Sequence, residues 1–206
     1  IFRTDVQAVC DSLVYSSKDS CLSLYTDPIL WQGPQQLLGE EIKVYMNDST
    51  IDWAHIINQA LAVEMNDSIH YNQVTGKEMK AFFRNGEMHQ VDVDGNVLCI
   101  YYPVEEGDTT LMMMDYTESS HLRMVLKDRK LERGAFIGHT TGILYPMDQI
   151  PADRLRLDAF AWFDYVRPRS KEDIFEWRGK GADAVLRKSD RKPIGSARDL
   201  NIKRKK

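Results

Sequence analysis

The side chains with the chemistry to catalyse a reaction or hold a metal are five histidines, three cysteines and a few neighbouring carboxylates. Their spacing decides what they can do. His55, His70, His89, His121 and His139 are scattered, with none of the short separations that bring two imidazoles onto one ion. His55 and His89 fall on polar faces of predicted strands. Cys10, Cys21 and Cys99 are odd in number and lack CxxC spacing, which argues against a zinc site and a disulfide framework. Cys10 and Cys21 flank an expected hairpin, where an oxidising compartment would permit a bridge; otherwise all three read as small apolar packing residues. Asp92 and Asp94 alternate with Val91 and Val93, so both carboxylates point outward from a strand. Glu105-Glu106-Gly107-Asp108 reads as an exposed acidic loop, at most a weak cation site. There is no GxSxG elbow, P-loop, GxGxxG or HExxH. The chain is read as no enzyme, with no catalytic residue, no metal and no cofactor.

A different chemistry is suggested by Leu111-Met112-Met113-Met114. Methionine is flexible and polarizable and suits surfaces that adapt to varied apolar ligands, although the same run can fill an irregular core. Composition allows one good-sized core in 206 residues. Nothing approaches the roughly 18 or more consecutive apolar residues of a membrane-spanning helix. The chain begins at Ile1 and is read as a fragment or processed form. The net charge of −4 conceals an asymmetry: residues 1–120 carry 6 basic against 19 acidic side chains, and residues 121–206 carry 21 against 12. After Val166 there are 14 basic and 6 acidic residues. Such a tail can contact phosphates or an acidic partner, or simply keep the end solvated.

The elements that must position any site are written as a repeat. Gly39–Val63 aligns on Gly76–Ile100 at a constant shift of 37 without a gap. Ile42, Val44 and Met46 fall on Met79, Ala81 and Phe83, and the corner Asn47-Asp48-Ser49 falls on Arg84-Asn85-Gly86. Ala54 and Ile56 fall on Val91 and Val93, and Ala60 and Ala62 on Val97 and Cys99. A third copy follows at a shift of 43, with Leu122, Met124 and Leu126, a corner at Asp128, then Phe136, and Gly138 on Gly95. A fainter first copy runs through Leu13, Lys18-Asp19-Ser20, Leu22 and Ile29. Apolar residues alternate at spacing two, the mark of half-buried strands, and Asn85-Gly86 tolerates the positive φ of a tight hairpin. A second turn, Asp94-Gly95-Asn96, matches Asn58-Gln59 one copy earlier. The unit is strand, hairpin, strand, turn, strand; such units bury their apolar faces only by stacking.

After Pro146 the pattern changes. Pro151 followed by Leu155, Phe160 and Phe163 predicts a helix, and Ser170 ahead of Asp173 predicts a second, short helix to Trp177. Phe160, Trp162, Phe163, Phe175 and Trp177 are expected to cover an open end or edge of the sheet. The chain thus divides into β-repeats over 1–146, a helical, aromatic-rich appendage over 147–180 and a basic, disordered tail over 181–206.

Several motifs resemble a known family. Val91-Asp92-Val93-Asp94-Gly95-Asn96-Val97-Leu98-Cys99-Ile100-Tyr101 is similar to the strand–Gly-Asn-Val–strand signature of OstA-like (LptA-type) proteins. Asp11-Ser12-Leu13-Val14-Tyr15, Asp27-Pro28-Ile29-Leu30-Trp31 and Gln36-Leu37-Leu38-Gly39-Glu40-Glu41-Ile42 resemble its preceding units. Tyr71–Met79 and the block Phe160–Pro168 resemble the larger OstA-like proteins of Bacteroidetes-type bacteria. The resemblance spans roughly residues 5–180. It implies a mainly β, open antiparallel β-jellyroll of stacked repeats in a periplasmic protein. Its implied partners are lipopolysaccharide or its lipid A part, and other transport-bridge proteins or itself end to end. Peripheral contact with outer-membrane components is also implied, and nucleic acid is not.

Alternation and resemblance together place one inward face that would bind lipid: Ile42, Val44, Met46, Ala54, Ile56, Met79, Ala81, Phe83, Val91, Val93, Val97, Cys99, Leu122, Met124, Leu126 and Phe136. Sheltering an acyl chain from water is worth ~0.8 kcal/mol per CH₂ group, which an apolar groove supplies without a catalytic residue. Alternation alone fits equally a closed core that binds nothing, in a structural or assembly scaffold for outer-membrane biogenesis that binds protein partners instead.

Overall fold

The computed structural model describes residues 1–47, 50–104, 110–128 and 130–176. Residues 48 and 49 of the first corner, the acidic loop at Glu105–Asp108, Trp177 and the basic tail lie outside the described residues. Twelve strands form one antiparallel sheet: β1 (Val6–Val9), β2 (Ser12–Ser16), β3 (Cys21–Tyr25), β4 (Ile29–Gln32), β5 (Gln35–Leu38), β6 (Glu41–Asn47), β7 (Thr50–Met65), β8 (Tyr71–Arg84), β9 (Glu87–Tyr101), β10 (Met113–Lys127), β11 (Lys130–Ile137) and β12 (Thr141–Pro146).

The four long strands β7–β10 run through both arms of the molecule and bend halfway. The first half of β7 pairs with β6 and the second half with β5. Likewise β10 pairs with β12 through Met113–Glu118 and with β11 through His121–Lys127. One arm is therefore β2-β3-β6 continuing into β11, and the other is β1-β4-β5 continuing into β12. The bend falls where the register shifts between Ile57 and Ala60 in β7, between Thr75 and Glu78 in β8 and between Ser119 and His121 in β10. Asn58 and Gln59 stand there with φ of 54° and 47°, and Gly95 and Asn96 with 79° and 53°. What the sequence suggested as a turn between two strands is thus a bulge inside one continuous bent strand. Gly76 is required at the bend for space, since a Cβ there would lie 2.6 Å from Val93 Cγ1.

The arms fold onto each other and bury one apolar face between them. Val6, Ala8, Leu30 and Leu37 of one arm meet Leu24, Ile42, Val44 and Ile56 of the other. This is an open antiparallel β-jellyroll, the fold class that the resemblance implies.

The C-terminal segment departs from the reading of its sequence. In place of α-helices it forms four single 3₁₀ turns, at Met147–Gln149, Ala152–Arg154, Asp164–Val166 and Glu172–Phe175, joined by extended chain. The Ser170 hydroxyl does accept the N–H groups of Glu172 and Asp173 (3.2 and 3.3 Å), but the capped element is one turn long. The segment is a strap over the outer face of the β1-β4-β5 arm, covering a face and not an end or edge. Phe163 and Val166, with Phe160 and Trp162, pack on Ile29, Trp31, Leu38, Leu61, Val63 and Tyr71. Leu157, Met147 and Ile150 pack on Leu98, Ile100, Tyr102 and Met114. Phe175 stays 87% exposed.

An extended path wins because two buried glutamines on the sheet supply it with hydrogen bonds. Gln36 Nε2 donates to the Ala161 carbonyl (2.8 Å), and its Oε1 accepts the Phe163 N–H (2.7 Å). Gln73 repeats the arrangement with the Leu155 carbonyl (3.0 Å) and the Leu157 N–H (2.9 Å). Each amide thus satisfies two strap backbone groups that an apolar face would otherwise leave unpaired.

Candidate functional site

Between the arms, at the end built from β7 to β11, the apolar interior is not filled. A cavity of about 150 Å³ lies there. Its floor is the bent strands themselves: Val74, Met79 and Ala81 of β8, Val91 and Cys99 of β9, and Leu122 and Met124 of β10. Each points inward because pleating alternates the faces and the bulges restore the parity that the bend would break. β11 closes the side with Leu131, Gly134 and Phe136.

The two lips of this groove differ in chemistry. The lip from the β2-β3-β6 arm consists of hairpin tips carrying Met88 and Leu126. The other carries Gln35, Glu64, Asn72, Tyr101 and Asp115. On that polar lip Gln35 and Asn72 both donate to the Glu64 carboxylate (3.4 and 3.1 Å), and the Thr117 hydroxyl donates to Asp115 (2.8 Å). Burial, and then the negative charge of Glu64, push the Tyr101 phenol above its ordinary pKa, so it remains a neutral donor. A smaller cleft between Gly33-Pro34-Gln35 and Met88 and Leu126 continues the same slit.

Fifteen of the sixteen inward positions named from the sequence belong to one apolar cluster. Ile42, Val44, Ala54, Ile56, Met79, Ala81, Val91, Val93, Val97, Cys99 and Leu122 are buried in it, while Phe83, Met124, Leu126 and Phe136 pack against it half-buried. Met46, at the end of β6, is half-exposed outside that cluster. Met79, Ala81, Val91, Cys99, Leu122, Met124, Leu126 and Phe136 line the cavity; the other eight do not. Sequence reasoning missed the polar lip, because Glu64, Asn72 and Asp115 look like ordinary strand-end polar residues. The methionine run also lies elsewhere: Met114 is buried under the strap, and Met112 and Met113 are exposed. The methionines at the cavity are Met79, Met88 and Met124.

Three of the five histidines are paired with carboxylates. His55 bonds Glu78 (2.7 Å), His70 bonds Asp67 (2.8 Å) and His121 bonds Asp94 (2.8 Å), all away from the cavity lining. Asp92 accepts two bonds from Arg123 (2.8 and 2.9 Å); burial works to raise its pKa, and the guanidinium more than offsets it, leaving the carboxyl below its ordinary value. Cys10, Cys21 and Cys99 form no disulfide with one another. Burial raises the Cys99 pKa well beyond the physiological range, so at the cavity wall it acts as an apolar group. Among the described residues no group of three His, Cys, Asp or Glu side chains is placed to hold a metal, and no helix is long and apolar enough to cross a membrane.

An arrangement of this kind, two arms of bent antiparallel strands around an apolar cavity, defines an open β-jellyroll. The solved structure of LptH from Pseudomonas aeruginosa, described as the LptA homologous periplasmic component of the conserved lipopolysaccharide transport device, has a similar fold. The TM-score is 0.51 at 11% sequence identity, over 68% of this chain and 95% of LptH. No protein family and no curated protein matches the sequence.

Proposed function

We propose that this protein is a periplasmic, OstA-like carrier module that shelters acyl chains of lipopolysaccharide on the way to the outer membrane, by binding and not by catalysis. The observation that carries the reading is the unfilled apolar cavity between the arms, in a fold similar to that of a lipopolysaccharide-transport component. An engineered cavity of comparable size in another protein holds benzene. By that measure about six carbons of an acyl chain fit, worth about 5 kcal/mol at ~0.8 kcal/mol per CH₂. Flexible methionines on the wall accept chains without fixing one pose.

Transport along a bridge also needs contacts with neighbouring modules. β2 at one end, and β11 and β12 at the other, each pair on one side only among the described residues, whereas the outer side of β1 is covered by Ile1–Arg3. Leu13, Val14 and Tyr15 of β2 and Ile143 and Leu144 of β12 are exposed apolar side chains on those edges. Such edges suit strand addition end to end by another bridge protein or a second copy. The same edges favour the alternative reading, a scaffold of outer-membrane assembly that binds proteins and no lipid. Equilibrium titration with a fluorescent twelve-carbon acyl probe, followed by displacement with lipopolysaccharide, separates the two. Saturable, displaceable binding supports the carrier; its absence in a folded protein that still captures bridge components supports the scaffold.

A further inference from the structure

We infer that the cavity selects its amphiphile by head group: the polar lip receives a hydroxyl- or amine-bearing, sugar-like head and disfavours an anionic group laid against it. This rests on the carrier reading above and adds which part of the ligand lies at which lip. The polar side chains that line the cavity, Gln35, Glu64, Asn72, Tyr101 and Asp115, form a single row across the adjacent strands β5, β7, β8, β9 and β10. Gln35 stands opposite Glu64, Glu64 opposite Asn72, and Tyr101 opposite Asp115. Gln73 pairs with Ile100, which puts Asn72 beside Tyr101 and completes the row.

The direction of the row is fixed independently of the cavity. On each strand a neighbouring residue is held by the strap on the opposite face: Gln36 by hydrogen bonds, Val63 and Tyr71 in one apolar cluster, Ile100 and Met114 in the other. Alternation then turns Gln35, Glu64, Asn72, Tyr101 and Asp115 inward. The rest of the lining is apolar, so an amphiphile with its chain inside has one row on which to lay its head. That row is rich in acceptors. Glu64 accepts from Gln35 and Asn72, and Asp115 from Thr117, which leaves acceptor sites on both carboxylates. Neither carboxylate has an ion-pair partner among the described residues. A sugar hydroxyl or an ammonium donates to such oxygens in a charge-assisted bond, whereas a phosphate brings acceptors and like charge. On a glycolipid that carries both, the sugar hydroxyls lie on the row and the phosphates point away from it.

The test displaces the fluorescent acyl probe with dodecyl maltoside or dodecyl phosphate, which share one chain, each below its critical micelle concentration at neutral pH. It is run on the unmodified protein and on the near-isosteric double variant Glu64→Gln with Asp115→Asn. Asp11→Asn with Asp52→Asn removes the same charge at exposed positions outside the lining and serves as the control. From the unmodified protein the maltoside is expected to displace at about tenfold lower concentration, the scale set by two partly screened carboxylates near the head. In the lip variant that preference should fall by about tenfold through tighter phosphate binding, and in the control it should hold. Each lip substitution alone gives part of the shift, so one folded variant suffices. Equal displacement by both ligands from the unmodified protein, or a preference that the lip variants keep, would overturn the inference while leaving the carrier reading standing. No binding of the probe, the maltoside or the phosphate would overturn the carrier reading itself, and this inference with it.

Discussion

Replacing Gln36 by leucine should loosen the strap by removing two hydrogen bonds at once. Gln36 is fully buried, and its amide meets the Ala161 carbonyl and the Phe163 N–H at 2.8 and 2.7 Å. Leucine has a similar reach but offers no partner. Both backbone groups would be left in the apolar cluster formed by Ile29, Trp31 and Leu38. An unpaired buried group costs about 1–3 kcal/mol, so two cost about 2–6 kcal/mol. The strap could instead lift locally, giving up the burial of Phe163 and Val166, at about 1.5–3 kcal/mol for each side chain. The routes have similar costs, and the better burial of leucine returns a part, so a loss of about 2–4 kcal/mol is expected. Against a typical total of about 5–15 kcal/mol this is a large fraction. Urea unfolding would read the global change. Hydrogen exchange at the Phe163 amide would read the local one, faster by roughly 30- to 700-fold, while Leu157, held by Gln73, keeps its protection. A change under about 0.5 kcal/mol, within the range of ordinary surface substitutions, with unaltered Phe163 exchange would refute the clamp argument.

Other consequences are open to direct measurement. Gly95→Ala combines a φ of +79° with a new Cβ 2.8 Å from Lys77 Cβ, and should lower stability by about 1–3 kcal/mol in thermal unfolding. Tyr102→Phe removes a buried hydroxyl with no hydrogen-bond partner among the described residues, and should be neutral or stabilising by about 1 kcal/mol in the same assay. The Asp67 carboxyl is held at about 2, first by the His70 side chain and then by the His70 and Ile69 backbone N–H groups. Its contribution to stability is therefore complete above its ordinary pKa of 3.8 and is lost as pH falls toward 2. Carbon-detected NMR titration should find that low midpoint, and in Asp67→Asn the acid-labile contribution should vanish. A midpoint near 3.8 would contradict the pairing.

Much of the architecture was legible in the repeat. The shift of 37 that places Asn58-Gln59 over Gly95-Asn96 locates the bend in the long strands β7 and β9, because both pairs adopt positive φ. The shift of 43 places Asp128 at the β10–β11 corner and Gly138 after β11, with φ of 50° and 97°. Inward and outward faces followed from alternation, since a pleat allows no other arrangement while the register holds. The strap was misread because Leu155, Phe160 and Phe163 recur at a helix-compatible spacing, and spacing cannot reveal that two distant glutamines offer an extended chain its hydrogen bonds. A signal was nevertheless present. Val97-Leu98-Cys99-Ile100 is apolar at both parities, which marks a strand covered on two faces, and Tyr102 on the same side is 1% exposed beneath the strap. The cavity was not legible at all. Whether Met79 and Leu122 fill a core or line a groove depends on how closely the two arms pack over them, which pairing patterns in the sequence do not encode.

The most direct test of the lipid-carrier account is photocrosslinking in cells from a photoreactive residue at Phe136, on the inner wall of β11, with its outward neighbour Ala135 as the control. The account predicts lipopolysaccharide adducts from position 136 and none from 135. A folded protein that gives no adduct at 136, or equal adducts at both positions, would contradict it.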